Sequence, residues 1–211
     1  MRPEEVSVYD RGETRYSRCS CGGWFQNPMP TDESLAELYR EAYRTISPDD
    51  PLRRFGGPRS SRVFPYLPRE VGTMLDVGCS AGQLMGRAKA SRWRVAGVEP
   101  NDKARECAAR FGPVYPALEQ VAGTFDLVTA IHVLEHVPDP VSFLRQMAGH
   151  LEPNGTLLVV VPHESYRPPH LLAMAEPQVR LLFERAGLTI TFIETVATKT
   201  DTKSDIVVRA H

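Results

Sequence analysis

Several things this chain has little of narrow its class before any motif is read. Acids and bases nearly cancel, 26 against 25, for a net charge of −1. No excess charge exists to draw in a polyanion or an anionic surface, so neither nucleic acid nor membrane is expected as a partner. No apolar run approaches the roughly eighteen residues a membrane helix needs, and no apolar stretch follows the N-terminus. The expectation is therefore a chain without a membrane span or secretory leader, resident in the cytoplasm. Lysine is scarce, four residues against twenty-one arginines. With plentiful alanine and proline, that bias fits a GC-rich bacterial gene.

Cysteine is also sparse, with four residues. Cys79 falls in a glycine-rich turn and Cys107 in an expected helix, so no disulfide framework is read. Cys19 and Cys21 are close, in C-S-C-G. Tetrahedral zinc takes about four ligands, usually from two such pairs. No second pair exists, and no histidine precedes His132. The expected reading is a turn that carries two thiols.

What is present is a strand, a turn and a helix in succession. Thr73 to Leu75 lead into Asp76, then Gly78 and Gly82 frame the turn LDVGCSAG, and an alanine-rich segment follows. Glycine lets a ligand approach the backbone, and the helix's first amides face whatever lies over the turn. A dinucleotide fingerprint would need glycine at Ser80 and Gln83 as well. Both fail, which disfavours a nicotinamide-dependent reductase, and no GKS or GKT follows to make a phosphate loop. An acid two residues before the first glycine repels phosphate but suits a cationic or amine-bearing ligand.

Along the chain, residues 1 to 30 read as polar and turn-rich. Thr31 or Asp32 can cap a helix to about Tyr43; residues 45–58 read as a mobile loop, and a short helix covers about 59–67. Strands then alternate with helices. Strands are expected near 73–77, 94–99, 113–116, 125–131 and 156–161, the last after a turn at Asn154-Gly155. Helices are expected near 82–91, 102–111, 139–151 and 176–186, with Gly187 as a left-handed stop. Phe125 to Ile131 is apolar enough to be buried on both faces. Strands at about 188–196 and 204–210 have no helix between them and should pair as a hairpin. The alternation implies a doubly wound α/β sheet. The expected division is an appendage and lid over 1–68 and a main domain over 69–211.

In such a sheet, ligands sit beyond the carboxyl ends of the strands. Glu99 ends the second strand, 21 residues past Gly78. There an acid can accept both hydroxyls of a ribose that lacks a 2′-phosphate. Pro100 and Asn101 follow it.

With these residues in view, LDVGCSAG resembles motif I of the class I S-adenosylmethionine (SAM)-dependent methyltransferases, with Ser80 where glycine is commonest. IHVLEHVPDP from Ile131, LEPNGTLLVVVP from Leu151, and the upstream run of Cys21-Gly22, Pro28-Met29-Pro30 and LAELYREAY resemble one bacterial group of them. Together these cover about Cys19 to Leu188. Members of that group carry a full N-terminal zinc ribbon, here reduced to C-x-C, and a longer insert after the fifth strand. The resemblance implies a Rossmann-like doubly wound sheet of seven strands, the seventh antiparallel, with a small N-terminal helical and loop appendage. It implies SAM as cofactor, held by Asp76, Gly78, Cys79, Ser80, Gly82, Glu99, Pro100 and Asn101. Ala117 and Leu118 would lie at the adenine; Ile131 and His132 would lie at the methionine end. Cys79 is expected to be a small turn residue, since nothing near it supplies a base.

The acceptor is less legible. All six histidines lie at or after position 132, and His132, His136, His163 and His170 follow the fourth or fifth strand. One reading makes His136 or His170, or His132 beside them, the base for an acceptor hydroxyl. The other makes His132, Glu135 and His136, with His163 or His170, a metal site; their spacing would share a face if the segment were helical. The base reading leads, with no metal expected. The expected enzyme methylates a small molecule, acting alone or as a homodimer, most readily on oxygen and in bacterial secondary or sugar-derived metabolism. Nitrogen or carbon acceptors, and a non-catalytic SAM-binding subunit, are the alternatives. Tyr39 and Tyr43 are expected in the lid, near the methyl.

Overall fold

Apolar β-branched runs and glycine stops set the elements of this α/β chain. The computed structural model describes residues 9–11, 14–31, 33–35, 37, 63–165, 170–197 and 204–211. It divides into two compact units. One comprises residues 1–38, 132–145 and 159–210; the other comprises 39–131, 146–158 and 211.

In the second unit, β4 (Thr73–Val77), β5 (Arg94–Val98), β6 (Val114–Tyr115) and β7 (Phe125–Ile131) are parallel neighbours. The middle of β7, Leu127 to Ala130, is fully buried, as its unbroken apolar run requires. Helix α1 (Gln83–Ala90) buries Leu84, Met85 and Ala88. Helix α2 (Asp102–Ala108) starts at Asn101, whose Oδ1 accepts the Ala104 N–H at 3.0 Å. A short 3-10 turn covers Leu118–Gln120. Gly112 packs so close to β5 that a Cβ there would overlap the Val95 carbonyl.

In the first unit, β1 (Tyr9–Arg11), β2 (Thr14–Arg18), β3 (Trp24–Gln26) and β9 (Leu172–Ala173) form an antiparallel sheet in that order. The sequence reading has no strands here, because the partner of β3 comes from nearly 150 residues downstream. Tyr16 is fully buried on β2, and its hydroxyl donates to the His170 carbonyl at 2.7 Å. Helix α4 (Glu176–Ala186) stops at Gly187 with φ 81°. The hairpin β10 (Ile190–Ala197) and β11 (Ser204–Ala210) is antiparallel, as expected. Between α3 (Pro140–Ala148) and β9 runs β8 (Leu151–Pro162). The chain is extended throughout β8, where a turn at Asn154-Gly155 had been expected. Gly155 fits because only hydrogen replaces a Cβ that would lie 2.9 Å from the Phe125 carbonyl.

The large sheet has the hydrogen-bonded order β10-β11-β8-β7-β4-β5-β6, so the final strand sits between β10 and β8. That is the seven-stranded Rossmann-like arrangement with an antiparallel last strand. Residues 33–35 and 37 are helical, with the Ser34 N–H on Thr31 Oγ1 at 3.2 Å, so Thr31 is the cap. Tyr39, Tyr43, the 45–58 segment and residues 59–62 lie outside the described residues; of the expected 59–67 helix, a 3-10 turn at Phe64–Tyr66 is described.

Gly112→Ala should destabilise the protein by about 1–3 kcal/mol through overpacking, read as a lowered unfolding midpoint. Tyr16→Phe leaves the His170 carbonyl without its buried donor and should cost about 1–3 kcal/mol in chemical denaturation.

Candidate functional site

The turn after β4 is held open by backbone conformations that few side chains tolerate. Gly78 and Gly82 have φ of 73° and 81°, and Ser80 between them has φ 50°. At Gly82 a Cβ would also meet Phe111 at 2.7 Å, so both strain and packing demand glycine. The amides of Gly78 and Cys79 donate to the Val98 carbonyl at 2.8 and 3.0 Å, fastening the turn to the end of β5.

Glu99 completes this fastening. It is 2% exposed. Its Oε2 accepts the Ser80 N–H and its Oε1 the Asn101 N–H, both at 2.9 Å. Burial raises its pKa, while the two amides oppose the rise. Each oxygen keeps a second lone pair, which fits it to receive a diol. Asn101 uses its side chain to cap α2, so its contribution at the turn is its amide. Ala117 precedes the 3-10 turn in an extended conformation, and Leu118 is buried. The exposed Pro100 has its carbonyl bound by Arg105 at 3.0 Å.

Asp76 is buried too, and its Oδ1 accepts the Thr129 hydroxyl at 2.7 Å. Burial raises its pKa from an ordinary 3.8 to about 7; the Thr129 hydrogen bond opposes this and the charge of Glu99 adds to it. Thr129 escaped the sequence reading, although a lone hydroxyl in an apolar strand was the available signal; it stands in register with Asp76 across β4 and β7. Cys79 packs its sulfur against Gly97, where a Cβ would lie 2.7 Å away. Burial and the two acids push its thiol well above the usual range, which disfavours a thiolate there. Ser80 Oγ and Gln83 Nε2 are buried atoms without a hydrogen-bond partner among the described residues.

In the other unit the histidines converge. β7 ends at Ile131, and His132 follows with φ 55° and its N–H on the Val160 carbonyl at 2.8 Å. A 3-10 turn, Leu134–His136, presents Glu135 inward, fully buried. The gathering therefore comes from a strained residue and a tight 3-10 turn, not from the α-helical face on which the metal alternative depended. Oε1 of Glu135 lies 3.4 Å from His132 Nδ1, 3.8 Å from His136 Nε2 and 3.9 Å from His170 Nε2. His132 Nε2 lies 3.5 Å from Asp205 Oδ1. Burial alone would lower the His132 pKa, but Asp205 and Glu135 raise it to about 9. Burial likewise opposes the charge on Glu135, yet the histidines hold its pKa below the usual value. His170 joins through the chain: the Leu171 N–H donates to the Glu135 carbonyl at 2.7 Å. His163 donates its backbone N–H to the Ser204 carbonyl at 2.9 Å and is not among the clustered ligand side chains of the described residues. Asp205 could not be read from sequence, since only the hairpin brings it here.

Cys19 and Cys21 are in no disulfide and sit at the tip of the β2–β3 hairpin, where the Cys21 N–H reaches Cys19 Sγ at 3.3 Å. Among the described residues they join no cluster of metal-ligating side chains.

This turn, its two acids and this strand order define a nucleoside-binding methyltransferase domain of class I. Residues 51–194 match the family described as "Methyltransferase domain", and the chain belongs to that family, the SAM-dependent class. The chain is 29% identical over 153 residues to the ubiquinone biosynthesis O-methyltransferase of Xanthomonas campestris pv. campestris (strain B100). That match covers 63% of this chain and 64% of the relative, so the chain spans a little under two thirds of it. In fold it is similar to the 1,6-didemethyltoxoflavin N1-methyltransferase of Burkholderia thailandensis, solved with S-adenosylhomocysteine: TM-score 0.68, 19% identity, covering 96% of each chain. A SAM-dependent methyltransferase of Leishmania major gives a TM-score of 0.70 at 17% identity, covering 100% of this chain and 99% of that one.

The raised pKa of Asp76 sets a sign. The carboxyl is neutral in folded and unfolded chains below 3.8 and charged in both above about 7. Its contribution to stability is thus fullest below 3.8 and is lost as pH rises through about 7. Asp76→Asn, which stays neutral, should gain stability relative to the parent between pH 4 and 7.5, measured by urea denaturation across that range.

Proposed function

We propose that the protein transfers the methyl group of SAM to a hydroxyl of a small-molecule acceptor. The observation that carries this reading is Glu99, a buried carboxylate anchored by the Ser80 amide of the glycine turn and the Asn101 amide at the start of α2, with lone pairs left for a ribose diol. Asp76 supplies a second acid suited to the ligand's ammonium group. Gly78, Cys79, Ser80 and Gly82 keep side chains out of the ligand's way. Pro100, Asn101, Ala117, Leu118 and Ile131 line the stretches that follow the strands.

An oxygen acceptor is supported by the O-methyltransferases among the relatives. It is also supported by His136 and His170 beside Glu135, a place where a hydroxyl can give up its proton; His132, the third histidine expected here, has its pKa raised to about 9 by Asp205 and Glu135 and is already protonated at neutral pH. The 1,6-didemethyltoxoflavin and ubiquinone-pathway names support a small, ring-bearing acceptor. The IHVLEHVPDP run from Ile131 resembles that of a bacterial methyltransferase group and fits an enzyme of secondary or sugar-derived metabolism.

Methyl transfer from a sulfonium is an in-line displacement. Holding nucleophile and methyl about 3–3.5 Å apart and aligned supplies much of the rate.

Asp76→Ala and Glu99→Ala should each weaken SAM binding by about 1.5–3 kcal/mol with unchanged circular dichroism, read by isothermal titration. Binding to the parent should weaken as pH falls below about 7, where Asp76 takes up a proton, and Asp76→Asn should flatten that profile. A mass-shift assay with hydroxylated aromatic and sugar acceptors tests the transfer itself. Undiminished SAM affinity in both alanine variants overturns the site assignment. SAM binding with no methylated product overturns the reaction.

A further inference from the structure

Glu135 is a buried acid whose charge is met by imidazoles at ion-pair range. It is fully buried, and neither carboxylate oxygen has a hydrogen-bond partner among the described residues. A buried carboxylate costs several kcal/mol unless hydrogen bonds or a cation compensate it. Its neighbours are nitrogens at ion-pair range. His132 Nδ1 is at 3.4 Å, but the other face of that ring is held by Asp205 at 3.5 Å. His136 Nε2 and His170 Nε2 stand 3.8 and 3.9 Å from the same oxygen. Those separations are too long for hydrogen bonds.

They are close to what one shared cation would impose. With bonds of about 2.0–2.2 Å, neighbouring ligand atoms in a tetrahedral shell lie roughly 3.4 Å apart. The ligand atoms of Glu135, His136 and His170 all lie within 4.8 Å of one another. The two imidazoles meet edge to face, interplanar angle 80° and centroids 4.9 Å apart, so they do not stack face to face beside the carboxylate. His170 Nδ1 is 3.1 Å from the Ser165 carbonyl. A carbonyl can only accept, so Nδ1 carries the hydrogen and, in the neutral ring, Nε2 carries a lone pair. A backbone carbonyl on the far nitrogen is the usual support of a metal-bound histidine.

We propose that Glu135, His136 and His170 form a site for one divalent transition metal, zinc first among them. The donor set decides the metal class. Two imidazoles and one carboxylate suit zinc and its borderline neighbours, whereas magnesium takes oxygen ligands and keeps its waters. Three protein ligands leave a fourth position open, the arrangement of reactive zinc sites. An oxygen of a hydroxylated small molecule is the ligand class that fills it, and coordination would ease loss of the hydroxyl proton to water. His132, braced by Asp205, then serves as a positioning residue for Glu135. The use of the metal on an acceptor rests on the methyl-transfer reading; its binding does not.

The test is metal analysis of the whole chain, first as purified and then after EDTA treatment and titration with zinc chloride followed by calorimetry. The expected result is about one zinc per chain, bound at micromolar or tighter affinity, with a raised unfolding temperature. Glu135→Gln and His136→Ala should each weaken zinc binding at least about tenfold, while His150→Ala, whose ring lies on the Gly123 carbonyl, should bind as the parent does. His136 keeps 18% of its side chain exposed, so its variant serves if the buried Glu135 variant does not fold. Absence of zinc binding in the parent, or unchanged binding in a folded Glu135→Gln or His136→Ala variant, overturns the site. A SAM titration on the same samples separates the two claims. SAM binding without zinc binding overturns this site alone; zinc binding without SAM binding leaves this site standing and overturns the methyl-transfer reading.

Discussion

Glu99 is the residue on which the glycine turn depends. A turn built on positive φ at Gly78, Ser80 and Gly82 adopts a backbone that needs fixed anchors. One carboxylate at the end of β5 gathers the amides of Ser80 and Asn101, while Val98 just before it gathers those of Gly78 and Cys79. The start of α1 and the start of α2 are thus tied to one strand end. Burial of this acid is tolerable because it accepts charge-assisted hydrogen bonds. Asp76, with only the Thr129 hydroxyl, is less well compensated, and that difference explains why its carboxyl titrates near neutrality.

The two units handle buried acid in different ways. Around the turn, backbone amides and a hydroxyl meet the carboxylates. Around Glu135, imidazoles meet it, with Asp205 as a second acid behind His132. The first arrangement is suited to a neutral or positive nucleoside. The second is suited to a proton or a metal ion.

Much of the main sheet was legible because its signals are local. β4 and β7 are short apolar runs buried on both faces, and Gly187 ends α4 with a left-handed residue as its type suggests. Asp76 and Glu99 were legible by spacing around the glycines. The N-terminal sheet was not, since β1 to β3 are brief, largely polar, and stabilised by pairing with β9 from far along the chain. The histidine cluster was half legible. His132, Glu135 and His136 could be grouped by proximity, but choosing His170 over His163, and finding Asp205, required the tertiary links through Leu171 and the β10–β11 hairpin. Thr129 was readable in principle, as an isolated hydroxyl inside an apolar strand.

The central claim is that the turn between β4 and α1, closed by Glu99, holds a sulfonium nucleoside. A crystal structure with S-adenosylhomocysteine tests it most directly. The account predicts both ribose hydroxyls within hydrogen-bonding distance of the Glu99 carboxylate and the methionine end along the Gly78–Gly82 turn. A bound nucleoside whose ribose lies away from Glu99 would contradict it.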